Sequence, residues 1–368
     1  ETRFTAPRSG VDFTVPALTF IGQDRLADND GDMISDRAEN VVGTFLNQVD
    51  SDNDGLDDGV EVRQRSDPLE GRSLSSGVVA ALNITGTAEA VTSGGSQEGN
   101  TLLLVATGAF GVALVQTQGL GVPQLLSELK LPGYSHDIAY DSDRGLTAIA
   151  SEDSGLNIVD LSNLGSPALI QSVALGEPVQ HVATRDGIAY AAHGTSISAV
   201  NMQTGEVLQK LALGQLGGST ITDLAIDGST LYVMDANNVL RAIDIADGVM
   251  TAQGAITLPN GGGKLFVGGG VAYVGTTSAA AQGYLTVDVS NPTNLRLLSD
   301  ADAVNIVGQS LVANGSGLLV STGQITGPQG QAISALDVTN VSDPTNTGNF
   351  VTRINLPAAP QDVVLANG

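Results

Sequence analysis

Gly155-Leu156-Asn157-Ile158-Val159-Asp160-Leu161-Ser162 is the stretch that decides how this chain is read. Leu156, Ile158 and Asp160 stand on one alternating row. The run stops at Asp160, and Ser162-Asn163-Leu164-Gly165-Ser166-Pro167 follows. Alternation closed by Asp, Ser, Gly and Pro predicts a short strand that ends in a turn. The chain repeats this pattern. Gly283-Tyr284-Leu285-Thr286-Val287-Asp288-Val289-Ser290-Asn291-Pro292 is a close copy, and Ala332 to Asn340 is another. Val239 to Ile245 and Ser196 to Met202 are weaker copies, and Gly111 to Gln116 is the most worn.

One repeat unit is clearest over 179–213. Gln180 to Thr184 predicts a first strand, Ile188 to Ala192 a second, Ser196 to Met202 a third and Glu206 to Leu213 a fourth. Arg185-Asp186-Gly187, Gly194-Thr195 and Gln203-Thr204-Gly205 turn between them. Four antiparallel strands per unit make one blade of a propeller. Gln116, Asp160, Asn201, Asp244, Asp288 and Asp337 mark the third strands, at intervals of 44, 41, 43, 44 and 49 residues. Such a period fits a propeller. A β-sandwich would need a period nearer 100 residues, roughly one domain length.

Aligning the first strands places Ala90, Asp137, His181, Asp223, Lys264, Ser310 and Asp362 at one level, which predicts an all-β fold with a seven-bladed β-propeller. Six blades are the alternative. The seventh blade is incomplete in this reading. Val78 to Ile84, within a strand expected over 77–86, would be its outer strand and Gln361 to Ala366 its inner one, with the middle pair unaccounted for. The expectation is that the chain is a segment of a longer polypeptide or that a partner donates about two strands there, because an open gap would expose two sheet edges. The run Val11 to Ile21 is a poor internal filler because Pro16 interrupts it.

Composition narrows the function. Among 368 residues there are 15 Lys plus Arg and 39 Asp plus Glu, a formal charge of −24. That argues against nucleic acid, which needs clustered Lys and Arg, and against an anionic membrane surface. It favours cations. The chain has no Cys, hence no disulfide and no zinc-thiolate site. No apolar run reaches the roughly 18 residues needed to span a bilayer, so direct membrane insertion is not expected. The chain opens Glu1-Thr2-Arg3-Phe4, which reads as a processed protein or an excised piece.

Three regions follow: an extended leader over 1–23, an acidic segment over 24–72 and the propeller over 73–368. Residues 24–70 hold 14 acids against four Arg. The acids are ordered. Asp28, Asp30, Asp32, Asp36 and Glu39 fall at positions 1, 3, 5, 9 and 12 of one loop. Asp50, Asp52, Asp54, Asp58 and Glu61 repeat that spacing 22 residues later. Calcium takes six to eight oxygens, and a tightly curled loop aims alternate side chains at one point. The carbonyls of Ile34 and Leu56, at position 7, would add an oxygen each, and the terminal Glu would close each shell. A solvated acidic linker would not keep both spacings in step. About two Ca2+ ions are therefore expected.

These loops resemble the bacterial form of thrombospondin type 3 repeats, and Ser66-Asp67-Pro68-Leu69 resembles the Thr-Asp-Pro that trails such a repeat. The first loop departs from the pattern, with Met33 at position 6 where Gly is usual. Dockerin loops, the nearest rival, normally end in Asp and lead into longer apolar helices. The propeller units resemble LVIVD repeats, best at Asn157-Ile158-Val159-Asp160 and Leu285-Thr286-Val287-Asp288. That resemblance implies architecture rather than activity, on extracytoplasmic proteins.

No nucleophile elbow, catalytic acid pair or phosphate loop is present. Gly261-Gly262-Gly263-Lys264 lacks the Ser or Thr of a P-loop. The three His are placed at or beside first strands (His136, His181) and at the end of a second (His193). Asp137, His181, Asp223 and Lys264 are expected to face the axis without being catalytic. A solvated polar channel explains such a ring, and a ligand or metal on the axis is the sharper rival. The favoured function is a non-enzymatic, calcium-binding module of the bacterial cell surface or exterior. It would serve adhesion or assembly through a protein or glycan surface partner, or through self-assembly. The alternative is a propeller enzyme, hydrolase or lyase, with its site at the channel mouth.

Overall fold

The structure is a computed structural model that describes residues 27–36, 38–39, 44–51, 57–64, 68, 81–97, 100–118, 123–277, 283–300, 310–315, 317–326, 332–356 and 358–365. The expected leader over 1–23 and the trailing Ser66, Asp67 and Leu69 lie outside these residues. The chain divides into two compact units, Glu1–Gly71 and Arg72–Gly368.

The second unit is a six-bladed β-propeller. Among the described residues its 24 strands form six four-stranded sheets, each an antiparallel meander in chain order. The blades are β1–β4 (Ala90–Gln97, Asn100–Ala106, Val112–Gln118, Gln124–Leu129), β5–β8 (Asp137–Asp141, Leu146–Ala150, Leu156–Asp160, Ala168–Val173) and β9–β12 (Val179–Arg185, Ile188–His193, Ser196–Asn201, Val207–Ala212). They continue with β13–β16 (Ile221–Asp227, Thr230–Asp235, Val239–Asp244, Thr251–Thr257), β17–β20 (Gly262–Gly268, Val271–Thr276, Tyr284–Asp288, Arg296–Ser299) and β21–β24 (Ser310–Ala313, Leu318–Thr326, Ala332–Asn340, Phe350–Asn355). Every recurrent stretch of the sequence is the third strand of its blade.

The middle strands are the buried ones: β6 and β14 are buried throughout, whereas β8 and β12 are largely exposed. Apolar layers lie between successive blades. Leu146, Ala148 and Ile158 of the second blade pack with Val182, Ala189 and Val200 of the third, and Met234 and Leu240 of the fourth pack with Leu265 and Val274 of the fifth. Neighbouring blades meet chiefly through their first strands, which are therefore the inner ones.

The polar residue that closes the third strand has a local job. Asp160 Oδ1 accepts the N–H of Ser162 (2.8 Å), Asp244 Oδ1 that of Ala246 (3.0 Å) and Asp288 Oδ1 that of Ser290 (3.0 Å). These are Asx turns, which stop the strand by offering the backbone another partner. The last blade corrects the sequence reading. There Asn340, not Asp337, sits opposite the start of the second strand and accepts from Ser342 (2.9 Å). Asp337 is fully buried and holds Arg353 through two bonds of 2.6 and 2.7 Å.

The blade count is also corrected, from seven to six among the described residues. Residues 81–86 and 358–365 form no strand, so neither proposed half of a seventh blade is laddered; 77–80 and Ala366 lie outside the described residues. The inner ring nevertheless has seven positions. Asp137 Oδ2 accepts from Val182, the residue after His181 (2.9 Å). Asp223 Oδ2 accepts from Leu265, the residue after Lys264 (2.7 Å). Asp362 Oδ2 accepts from Val91, the residue after Ala90 (2.8 Å), and Val363 donates to Ser310 Oγ (3.3 Å). Ser310 Oγ in turn donates to Asp362 Oδ1 (2.5 Å). Asp362 thus joins the last blade to the first in the register that strand residues use elsewhere. On the far face of the first blade, Leu82 and Ile84 cover Val105, Ala113 and Val115.

Candidate metal site

The acidic loops share one backbone scheme. The N–H of position 9 donates to the carbonyl before position 1: Asp36 to Ala27 and Asp58 to Val49, both 2.8 Å. The position 9 carboxylate accepts the N–H of position 2: Asp36 from Asn29 and Asp58 from Ser51, both 2.9 Å. A short helical turn then begins in each. Ser35 caps the first, and the second is helix α1 (Asp58–Gln64). These turns bring Glu39 and Glu61 into place through N–H bonds to Ser35 and Asp57, four residues back. At their described residues, two sequences 22 residues apart therefore share these bonds because the acids at fixed positions serve as loop fasteners as well as charges.

In the first loop the oxygens of Asp28, Asp30 and Asp32 lie within 4.8 Å of one another. Asp28 accepts from Gly31 (2.8 Å) and Met33 (3.2 Å), and Asp32 Oδ1 from Ile34 (2.6 Å). Asp30 Oδ2, Asp32 Oδ2 and both Glu39 oxygens are buried and make no hydrogen bond. Glu39 is fully buried. Burial first, then the surrounding carboxylates, push its pKa up to about 7; the same causes raise Asp32 to about 6, against a bond from Ile34. Buried carboxylates without partners are costly unless a cation compensates them. The residues present therefore fit a calcium ion held by Asp28, Asp30, Asp32 and Glu39, with the Ile34 carbonyl and Asp36 in the same loop.

In the second loop Asp50, Asp58 and Glu61 are described and Asp52, Asp54 and Leu56 are not, so that half of the expected ligand set falls outside the described residues. Asp58 and Glu61 are buried. The two loops touch each other at Gly59, where an added Cβ would stand 1.9 Å from the Asp32 carbonyl oxygen.

Met33 adopts φ +74°, a left-handed conformation that a side chain disfavours. It is 38 % exposed, so its burial offsets the strain only in part. Met33→Gly is expected to tighten calcium binding at the first loop about fivefold, equivalent to about 1 kcal/mol. Calorimetric titration of the variant checks this, and unchanged affinity would show that the strain is relieved elsewhere.

On the propeller axis the sequence-predicted ring is assembled as expected. Asp137, His181 and Asp223 come from the first strands of three successive blades, and their ligand atoms lie within 4.8 Å of one another. Lys264 Nζ is 3.5 Å from Asp223 Oδ1. Burial alone would lower the Lys264 pKa, but Asp223, Asp137 and Asp362 outweigh it and hold the ammonium charged. His193 lies apart, buried and bonded through Nε2 to Ser198 Oγ (2.8 Å). The burial of Asp235 with Arg241 and of Asp337 with Arg353 was not legible beforehand. Their spacing, six and 16 residues, follows only from strand pairing.

Fold and site together define a class: a β-propeller built of short meander repeats, in a chain that also carries paired acidic loops. The comparisons then give the families. The bacterial TSP3 repeat matches residues 50–70, and the LVIVD repeat matches 146–174 and 263–302, so the chain carries both. No curated protein matches the chain. Among solved structures it is similar to a functionally unknown protein from Desulfotomaculum acetoxidans, at 17% identity and a TM-score of 0.53, over 66% of this chain and 75% of that one. It is also similar to the WD40 β-propeller domain of Doa1, at 12% identity and a TM-score of 0.55, over 77% of this chain and 88% of that one. At such identities these likenesses show the fold.

Proposed function

We propose that this protein is a calcium-binding propeller module of the bacterial cell surface or exterior, without catalysis, that serves adhesion or assembly of an extracellular structure. Its partner would be a protein or glycan surface, or further copies of the chain. The observation that carries the reading is Glu39, fully buried, with neither oxygen hydrogen-bonded and with Asp28, Asp30 and Asp32 around it. The TSP3 match is to a calcium-binding type of repeat typical of extracellular proteins. Among the described residues no helix is long and apolar enough to cross a membrane. The charge of −24 suits binding of cations.

Calorimetric titration of the chain with calcium tests the proposal. About two ions are expected, and no binding at millimolar calcium ends it. The pH dependence has a definite sign. Glu39 and Asp32 keep their protons up to about 7 and about 6, above the ordinary 4.5 and 3.8, and calcium must displace those protons. Affinity at the first loop should therefore fall by on the order of 1,000-fold between pH 8 and pH 5, with proton release on binding. Without calcium the sign for stability is opposite. The raised groups stabilise the folded loop most below pH 4 and lose that contribution as pH rises through about 6 to 7.

A further inference from the structure

We propose that Asp137, His181 and Asp223 form a second kind of metal site, for a first-row divalent transition ion on the propeller axis, distinct in position and chemistry from the acidic loops. The His181 side chain is 91 % buried, its exposure being 9%. Its Nδ1 is buried and makes no hydrogen bond. It points between two carboxylate oxygens, Asp137 Oδ2 and Asp223 Oδ1, each 3.7 Å away. That is too long for a hydrogen bond. It is close to the separation of two donors that share one ion: at about 2.1 Å from a tetrahedral metal, ligand atoms stand roughly 3.4 Å apart. A buried imidazole nitrogen with no hydrogen-bond partner needs an explanation, and a shared cation supplies one.

The surroundings suit a cation. Both carboxylates are already fastened by backbone N–H groups of the next blade, Val182 and Leu265, which fixes their direction as outer partners do at metal sites. Asp137 accepts a further bond from Ile138, and Asp362 brings a third carboxylate to the neighbourhood of Lys264. Among the described residues one ammonium, that of Lys264, answers these three carboxylates, and it lies beside the Asp223 oxygen that faces His181. The His136 ring meets His181 edge-on at 5.8 Å and closes one side. One imidazole and two carboxylates select zinc, manganese, iron or nickel; calcium takes oxygen donors and has no use for the imidazole. An ion there would tie the second, third and fourth blades together at the axis. This inference stands without the calcium reading.

The test uses the whole chain in millimolar calcium, so that the acidic loops are filled, titrated with Co2+ and Zn2+. The expected result is a visible Co2+ absorption band at one equivalent, displaced by Zn2+, with the propeller melting temperature raised by Zn2+. His181→Gln should remove the band and the shift, a loss larger than the roughly 10–100-fold that follows loss of an outer partner. Glu39→Gln should leave both in place, which separates this site from the loops. Lys264→Met should bind Zn2+ about tenfold tighter, because the ammonium competes for Asp223. If His181→Gln does not fold, the Lys264→Met titration decides: tighter binding supports the site, and unchanged or weaker binding overturns it. No band and no melting shift in the native chain overturn it too, leaving a bridging water or Lys264 itself as the occupant.

Discussion

Stripping calcium with a chelator is expected to open residues 27–64 completely while the propeller keeps its structure. The first acidic loop crowds Asp28, Asp30 and Asp32 around one point, Glu39 is buried within reach of their charges, and its oxygens have no donor among the described residues. At neutral pH, without a cation, the like charges must either protonate or separate. Among the described residues few apolar groups resist separation: Ile34 and Val60 are the buried aliphatic ones there. The propeller has interblade apolar layers of its own and belongs to the other compact unit. Hydrogen exchange followed by mass spectrometry reads the outcome. Peptides from 27–64 should lose essentially all protection on chelation, and those from 137–299 should keep theirs. Glu39→Gln should lose the first ion even in excess calcium, with affinity down by more than about 100-fold, because a neutral amide replaces the carboxylate that closes the shell. Undiminished protection of 27–64 in chelator would sink the calcium reading of these loops.

The second large effect is expected at Asp362→Ala, which should destabilise the propeller by roughly 3 kcal/mol or more. Asp362 accepts from Val91 and from the Ser310 hydroxyl, so truncation leaves two partly buried donors without partners, each costing about 1–3 kcal/mol. The join between the last and first blades runs through those bonds. Asp343 makes a comparable pair of bonds to Thr345, but on an exposed turn within one blade. Asp343→Ala is therefore the control and should change little. Urea unfolding of both variants measures the difference. Equal effects would mean that the join is held by apolar packing alone.

The architecture was readable from the chain because each blade repeats one short chemical sentence. Val239 to Asp244 and Tyr284 to Asp288 alternate, close with an acid and turn, and the acid makes the turn by bonding two residues ahead. The same logic failed in the last blade. Asp337 and Asn340 both offered a polar side chain on β23, and only the ladder shows that Asn340 lies at the strand end while Asp337 faces Arg353 from β24. The ring of seven positions was legible from alignment of first strands, whereas the number of laddered blades was not. Asp362 has the register of a first-strand residue but, among the described residues, no strand beside it to complete a sheet. In the loops, spacing announced the carboxylates. It did not announce that Asp36 and Asp58 would spend an oxygen on the loop's own backbone, a role that depends on how the loop curls.

The join at Asp362 has a mechanical consequence. Leu82 and Ile84 lie against the first blade shortly before β1 begins, and Asp362 bonds to Val91 of that same blade after β24 has ended. Chain entering and chain leaving the ring are therefore anchored to one sheet. Tension applied through the two flanks would run across that sheet and its neighbouring bonds as a short bridge, and the second to fifth blades would hang outside the line of force like links on a closed clasp. A propeller strung this way resists extension with a handful of polar bonds at one seam, and its remaining sheets stay unloaded until that seam parts.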